Sequence, residues 1–245
     1  MKKALITGAN RSIGFEAARQ LLKKGYYVYL GSRTLANGQE AVDKLKAEGL
    51  TEVEAIALDV TNDESVKNAR TELGTKTNVL DVLINNAGIS GGFPQTAQTS
   101  SIDTFKEVFD TNLYGVVRTT QAFMDLLQQS AEPRIVNVTS GLGSLTMHTD
   151  TSWKYFAVKG AIYAPSKAAL NMYTITLAYE LRDTPFKVNA VDPGYTATEF
   201  NHFRGTGTVH DAAARLVKGA TLAPDGPTGT FFSDDNNPET GISLW

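Results

Sequence analysis

Tyr163 and Lys167 stand four residues apart in the segment YAPSK, and Ser140 ends the apolar run IVNVTS upstream. A phenol, an ammonium and a hydroxyl at these spacings suit proton transfer to a carbonyl oxygen or from an alcohol. Positions i and i+4 share a helix face, so an ammonium at 167 can sit beside the phenol one turn away. Free tyrosine ionises near pH ~10, and an opposite charge within a few ångströms lowers a pKa by roughly 1 to 3. The expectation is a Tyr163 phenol made more acidic by Lys167. Pro165 fits a helix beginning around Tyr163, because a first-turn proline gives up an N–H that has no intrahelical partner anyway. YxxxK alone is a common spacing, and a buried tyrosine with a solvated lysine would give it too. The motifs around it carry the weight.

Residues Ala4 to Thr7 read as a short apolar strand running into GANRSIG, Gly8 to Gly14, after which Phe15, Ala18, Leu21 and Leu22 recur with helical spacing. A glycine turn between strand and helix aims free N–H groups and a positive dipole end at a phosphate. A second apolar strand, Val79 to Ile84, ends in NNAG, small and polar at a strand's carboxyl end, where open parallel sheets bind ligands. Strand-like runs occur at 3–7, 27–32, 53–58, 79–84, 134–139, 186–191 and 229–232, and helical patterns at 14–24, 38–47, 63–71, 101–129, 163–182 and 209–218. Such alternation predicts a doubly wound parallel α/β sheet with helices on both faces.

The 245 residues, 42% hydrophobic, are undivided by any linker or charge run, which predicts one domain over 1–245. With no cysteine, disulfides, thiolate catalysis and zinc–cysteine sites are excluded, and His148, His202 and His210 lack metal-ligand spacing, so no metal is expected. A net charge of -3 offers no basic footprint for nucleic acid or acidic membranes. Only ALI separates Met-Lys-Lys from the glycine turn, and no apolar run approaches the roughly 20 residues of a membrane span, so a soluble, cytoplasmic protein is expected.

In this order the motifs resemble the short-chain dehydrogenase/reductase family in its compact, carbonyl reductase-like form. TGANRSIG corresponds to the TGxxxGxG cofactor turn and NNAG matches directly. Asn112 in TNLYG matches the helix asparagine, Ser140, Tyr163 and Lys167 match the catalytic serine and YxxxK, and Pro193, Gly194 and Thr198 match PGxxxT. Ser12 stands where the family has its middle glycine. Residues 141–162 are more than compact members carry before the tyrosine, so HTDTSWKYFAVKG is expected to form an insertion beside the active site.

The resemblance implies a seven-stranded Rossmann sheet in three α/β/α layers. It also implies a dinucleotide held by Gly8, Asn10, Arg11, Ser12, Ile13 and Gly14, with Asp59, Val60, Asn86, Ala87 and Gly88 on the adenosine side. Pro193, Gly194, Thr196 and Thr198 would hold the nicotinamide, and Tyr163 and Lys167 its ribose. An acidic residue after the second strand selects NAD and an arginine NADP; here the strand ends YLGSR, so Arg33, helped by Arg11, points to NADP(H).

Ser140 would bind the carbonyl, Tyr163 donate the proton, and Asn112 organise a water chain. The implied function is NADPH-dependent reduction of a ketone or aldehyde. An NADP-linked alcohol dehydrogenase, a 3-oxoacyl thioester reductase and a nonenzymatic dinucleotide sensor are the alternatives. Phe93, Leu142, Leu145, the 148–160 insertion, Tyr195, Phe200 and Phe203 would wall an apolar pocket, with Gly205 and Gly207 as a hinge. A homo-oligomer, dimer or tetramer, is expected through the helices near 101–129 and 163–182, unless the insertion obstructs that face and leaves a monomer.

Overall fold

A computed structural model describes all residues from Met1 to Trp245. Seven strands run in parallel: β1 Lys3–Ile6, β2 Tyr27–Ser32, β3 Val53–Ala57, β4 Val82–Asn85, β5 Arg134–Val138, β6 Lys187–Val191 and β7 Phe231–Phe232. Their order is β3-β2-β1-β4-β5-β6-β7, so the winding reverses between β1 and β4. The helices are α1 Ser12–Lys23, α2 Leu35–Ala47, α3 Asp63–Lys76, α4 Ile102–Phe109, α5 Gly115–Leu127, α6 Tyr163–Glu180 and α7 Val209–Ala220. The three-layer, doubly wound fold is as the alternation of elements predicts.

The period-2 alternation of strand side chains builds the two cores. Ala4, Ile6, Val82, Ile84 and Val136 face one layer with α1, α2 and α7, packing on Leu21, Leu45 and Leu216. Leu5, Leu83, Ile135 and Val188 face the other with α3, α5 and α6, packing on Leu73, Phe123 and Leu177. Both sheet faces are dry, which is why the strands read as continuous apolar runs.

Several boundaries differ from the sequence reading, and four of them have a clear local reason. α2 starts at Leu35 rather than residue 38, because the Thr34 side chain caps it by accepting from Asn37 N–H. β4 spans Val82–Asn85 rather than 79–84, its Asn85 turned inward to polar partners. β7 shrinks to Phe231–Phe232, since Gly229 just before it has φ +68, outside extended space. The predicted helix 101–129 is interrupted by one π turn, Asp110–Tyr114. Asn112, at its centre and fully buried, turns inward and bonds the backbone of Ile89 twice. A π turn adds one residue to the helical ring and re-aims the side chains it carries.

The glycine turn is set by close approach. A Cβ on Gly14 would stand 2.6 Å from Asn86 Nδ2 and 2.8 Å from the carbonyl oxygen of Gly8. Ser12 has φ +54, the left-handed region that suits the glycine it replaces, at a cost of about 1–2 kcal/mol. Gly14→Ala should therefore lower unfolding stability by about 1–3 kcal/mol in urea titrations. Ser12→Gly should hold stability or raise it by up to about 1 kcal/mol.

Candidate active site

The carboxyl ends of β1, β4, β5 and β6 meet the N-terminus of α6 along one edge of the sheet. Thr7 ties the first two together: its Oγ1 accepts from Asn86 and Ala87 N–H, both at 2.9 Å. Asn86 answers by donating from Nδ2 to the carbonyls of Thr7 and Gly8, at 2.9 and 3.1 Å. Gly8 has φ +60 and lies against Ala87. α1, which begins here after Asn10 and Arg11, has no side-chain cap, unlike α2, α3, α4 and α7, capped by Thr34, Asn62, Ser101 and Thr208. Its first N–H groups, around Ser12, Ile13 and Gly14, are left without side-chain acceptors and face the turn, which suits a phosphate.

The other dinucleotide positions surround this turn. Arg33 follows β2 and, like Arg11, is exposed. Asp59 accepts from Thr61 N–H and Oγ1 at 3.0 and 2.7 Å, while Val60 is buried against Gly115. Across the reversal, Pro193 and Gly194 form a turn in which Gly194 has φ +79, and Thr196 Oγ1 donates back to both their carbonyls. Thr198 caps a short helical turn, Glu199–Asn201, through a reciprocal pairing with Asn201.

Tyr163 opens α6 and is buried, its ring 5.4 Å from that of Phe200. Burial pushes its phenol well above the ordinary tyrosine range; the Ser140 hydroxyl beside it pulls the other way and the Asp192 carboxylate adds to the rise. Lys167 is also buried, and its Nζ donates to the carbonyl of Val138 at 2.8 Å, 5.9 Å from the centre of the Tyr163 ring. With no carboxylate beside it, burial lowers its pKa to about 8. The expected acidification of Tyr163 by Lys167 does not appear: loss of water dominates, and the only group that pulls the phenol down is the Ser140 hydroxyl.

Asn112 reaches this cluster through its side chain. Oδ1 accepts from Ile89 N–H at 2.9 Å; Nδ2 donates to the Ile89 carbonyl at 2.9 Å and to Ser166 Oγ at 3.0 Å. Both amide hydrogens are taken, so only Oδ1, on the Gly88 and Lys167 side, has a lone pair to offer. Ser140 Oγ accepts from Leu142 N–H at 3.2 Å, capping the short turn Gly141–Gly143.

The residues that anchor α6 were not singled out from sequence. Asn85 Nδ2 donates to Asn137 Oδ1 at 2.9 Å, Asn137 Nδ2 to Thr174 Oγ1 at 2.9 Å, and Thr139 Oγ1 to Asn171 Oδ1 at 2.7 Å. This buried polar ladder pins α6 to β5, and with it Tyr163 and Lys167 to Ser140. The polar letters inside VLIN and IVNVTS were its only sequence signal. Asp192 was missed as well; it is buried and accepts from Gly194 N–H at 2.9 Å and Ser233 Oγ at 2.6 Å.

Residues 148–160, expected as an insertion, fold back on one another and dock on the C-terminal segment. His148 donates from Nε2 to the Leu142 carbonyl at 2.9 Å and accepts from Lys159 Nζ at Nδ1 at 3.1 Å, which keeps the ring neutral. Tyr155 OH and Lys154 Nζ both donate to Asp235, at 2.8 and 2.7 Å. Gly205 and Gly207, the expected hinge, lie close against the backbone of Tyr195 and Thr196. A Cβ on Gly205 would lie 2.1 Å from the Thr196 carbonyl carbon, and Gly207 N–H donates to the Tyr195 carbonyl at 2.8 Å. These glycines permit backbone contact.

The depressed Lys167 pKa has a sign that can be tested. Between pH 8 and about 10 the unfolded chain carries the lysine proton that the folded chain has lost, so this group makes stability rise with pH. The difference in urea midpoint between the parent and Lys167→Met, followed across that range without cofactor, should shift in the parent's favour as pH rises.

The family model of short chain dehydrogenases matches residues 2–207. (+)-Neomenthol dehydrogenase of Capsicum annuum is 32% identical over 94% of this chain and 94% of its own length. Salutaridine reductase of Papaver bracteatum is 30% identical over 95% of this chain and 94% of its own. Among solved structures, NADPH-bound carbonyl reductase from chicken fatty liver superposes with a TM-score of 0.84 at 26% identity, covering 100% of this chain and 99% of that one. With a family model matching most of the chain and relatives at 30% identity or more covered nearly end to end, the chain belongs to the short-chain dehydrogenase/reductase family, oxidoreductases acting at carbonyl and alcohol groups.

Proposed function

We propose that the protein is an NADPH-dependent reductase of ketones or aldehydes with Tyr163 as the proton donor. The observation that carries this reading is the cluster at the sheet edge, buried Tyr163 and Lys167 with the half-buried Ser140 hydroxyl beside the phenol. Tyr163 carries the one phenol in this cluster, and a phenol that holds its proton can donate it to a carbonyl oxygen as hydride arrives.

The uncapped α1 turn, Gly8 against Ala87 and the left-handed backbone at Ser12 support a dinucleotide pyrophosphate over Asn10 to Gly14. Exposed Arg11 and Arg33 stand in none of the ion pairs that engage Arg19, Arg70, Arg118, Arg182 and Arg215, and their freedom supports a 2′-phosphate, hence NADPH. Asp59, Val60, Asn86, Ala87 and Gly88 would line the adenosine side, and Pro193, Gly194, Thr196 and Thr198 the nicotinamide side. When bound, the reduced nicotinamide supplies a hydride to the carbonyl carbon.

Ser140 would hold the substrate carbonyl oxygen by donating to it, and Tyr163 would pass its phenolic proton to that oxygen as the C–O double bond becomes single. Lys167, turned from Val138 toward the ribose hydroxyls, would then stand near the phenolate formed. Asn112 would lead a water chain from its free Oδ1 lone pair to restore the proton. Phe93, Leu145, Phe200 and Phe203 expose apolar surface, Phe200 with its ring against Tyr163, which supports a hydrophobic carbonyl substrate. Apolar side chains left exposed on α6, Met172 and Tyr179, support a homo-oligomer.

Tyr163→Phe should lower NADPH oxidation with a hydrophobic ketone by about 10² to 10⁴ while NADPH still binds, as read by nucleotide fluorescence. Near-parental turnover would remove the donor assignment. Arg33→Asp should reverse the ratio of kcat/KM for NADPH over NADH toward NADH; an unchanged ratio would contradict the 2′-phosphate reading.

A further inference from the structure

Helix α6 carries both reacting side chains in its first turns, yet it lacks an N-terminal cap of its own: Ile162 precedes it and offers no side-chain acceptor. Pro165 has no N–H, and the next, that of Ser166, is bonded to the Ile162 carbonyl. Ile162, Tyr163 and Ala164 are therefore the N–H groups that need an acceptor from elsewhere. Two of them are met by one atom. Gln95 Oε1 accepts from Ile162 N–H at 3.1 Å and from Tyr163 N–H at 2.9 Å. The Gln95 carbonyl also accepts from Ala161 N–H at 3.3 Å. The other end of the same amide, Nε2, donates to the carbonyls of Ser90 and Gly92, at 2.6 and 2.7 Å.

Gln95 is buried, tightly packed at its oxygen and in ordinary contact at its nitrogen. A Cβ on Gly160 would stand 3.0 Å from Gln95 Oε1, and one on Gly91 would stand 3.5 Å from Nε2. The chain leaving β4 through Asn86, Gly88 and Ile89 is thus clamped to the first residue of α6 by a single side chain. We infer that Gln95 is a positioning residue of the active site, a cap supplied from the β4 loop that fixes where α6 begins and so where the Tyr163 phenol stands. An acceptor at this end of a helix stabilises the first turn, and a displacement of the donor by an ångström can cost as much as 10²-fold in rate. A methionine has the length of glutamine and neither its acceptor nor its donors, so it releases both sides of the clamp.

The inference rests on Tyr163 being the proton donor, so Tyr163→Phe is run beside it. Gln95→Met should lower kcat for a hydrophobic ketone by about tenfold or more while the NADPH dissociation constant and the ketone KM stay within about twofold of parent. Gln95→Glu keeps an oxygen for both N–H groups but sets a second oxygen against the carbonyls of Ser90 and Gly92, so it should lose kcat by about tenfold or more as well. Should Gln95→Met fail to fold, Gln95→Asn, one carbon too short to reach both groups, takes its place in the comparison. A Gln95→Met enzyme with parental kcat beside an inactive Tyr163→Phe overturns the inference and leaves the donor reading standing, and parental kcat in Gln95→Glu overturns it too. Turnover by Tyr163→Phe would instead remove the donor reading itself.

Discussion

The ammonium of Lys167 lies out of water with a backbone carbonyl, that of Val138, for its partner and no carboxylate beside it. Burying a charge in this way is among the costliest things a fold can do, and here it depresses the lysine while burial lifts the Tyr163 phenol. The sheet edge has to hold this pair in place despite that cost. β5 ends so that Val138 presents its carbonyl and Ser140 its hydroxyl within two residues, and α6 is tied to β5 by the Asn137, Thr174, Thr139 and Asn171 hydrogen bonds. The apolar cores on either face of the sheet hold the strands in register beneath.

The pair's electrostatics move in opposite senses: burial raises the phenol and lowers the lysine, because each loses the water that would stabilise its charged form. A lysine poised near pH 8 is easily drawn to a new acceptor, because its one hydrogen bond in the unliganded protein is to a neutral group. Phe200 stacks edge-on to the phenol, and just beyond it His202 and Phe203 occupy left-handed backbone in succession. Non-glycine residues in that region are strained, and such strain gathers beside ligand sites.

Much of this was readable from sequence, because some chemistry is written in local pattern. Strand and helix periods pointed to all seven strands and a doubly wound sheet, the family resemblance to their seven-stranded order, and TGANRSIG, NNAG and YAPSK to the glycine turn and the reacting pair. What escaped depended on partners distant in the chain. The π turn at Asn112 is invisible in a 3.6-residue period, since one added residue leaves the flanking apolar pattern intact. Asn137 and Gln95 looked like stray polar letters until Thr174 and Tyr163 were beside them. The sign of the Tyr163 shift was misjudged because spacing reveals a neighbouring charge but not the loss of water around it. Gly205 and Gly207 suggested motion, whereas their place in the fold calls for contact with Thr196 and Tyr195.

The most direct measurement is the ultraviolet phenolate absorbance of the unliganded protein as pH is raised, with the curve of Tyr163→Phe subtracted. The account predicts that the difference shows no phenolate until well above about pH 10, the ordinary tyrosine range. A difference curve with its midpoint near neutrality would contradict it, for the phenol would then be ionised by its neighbour rather than kept protonated by burial.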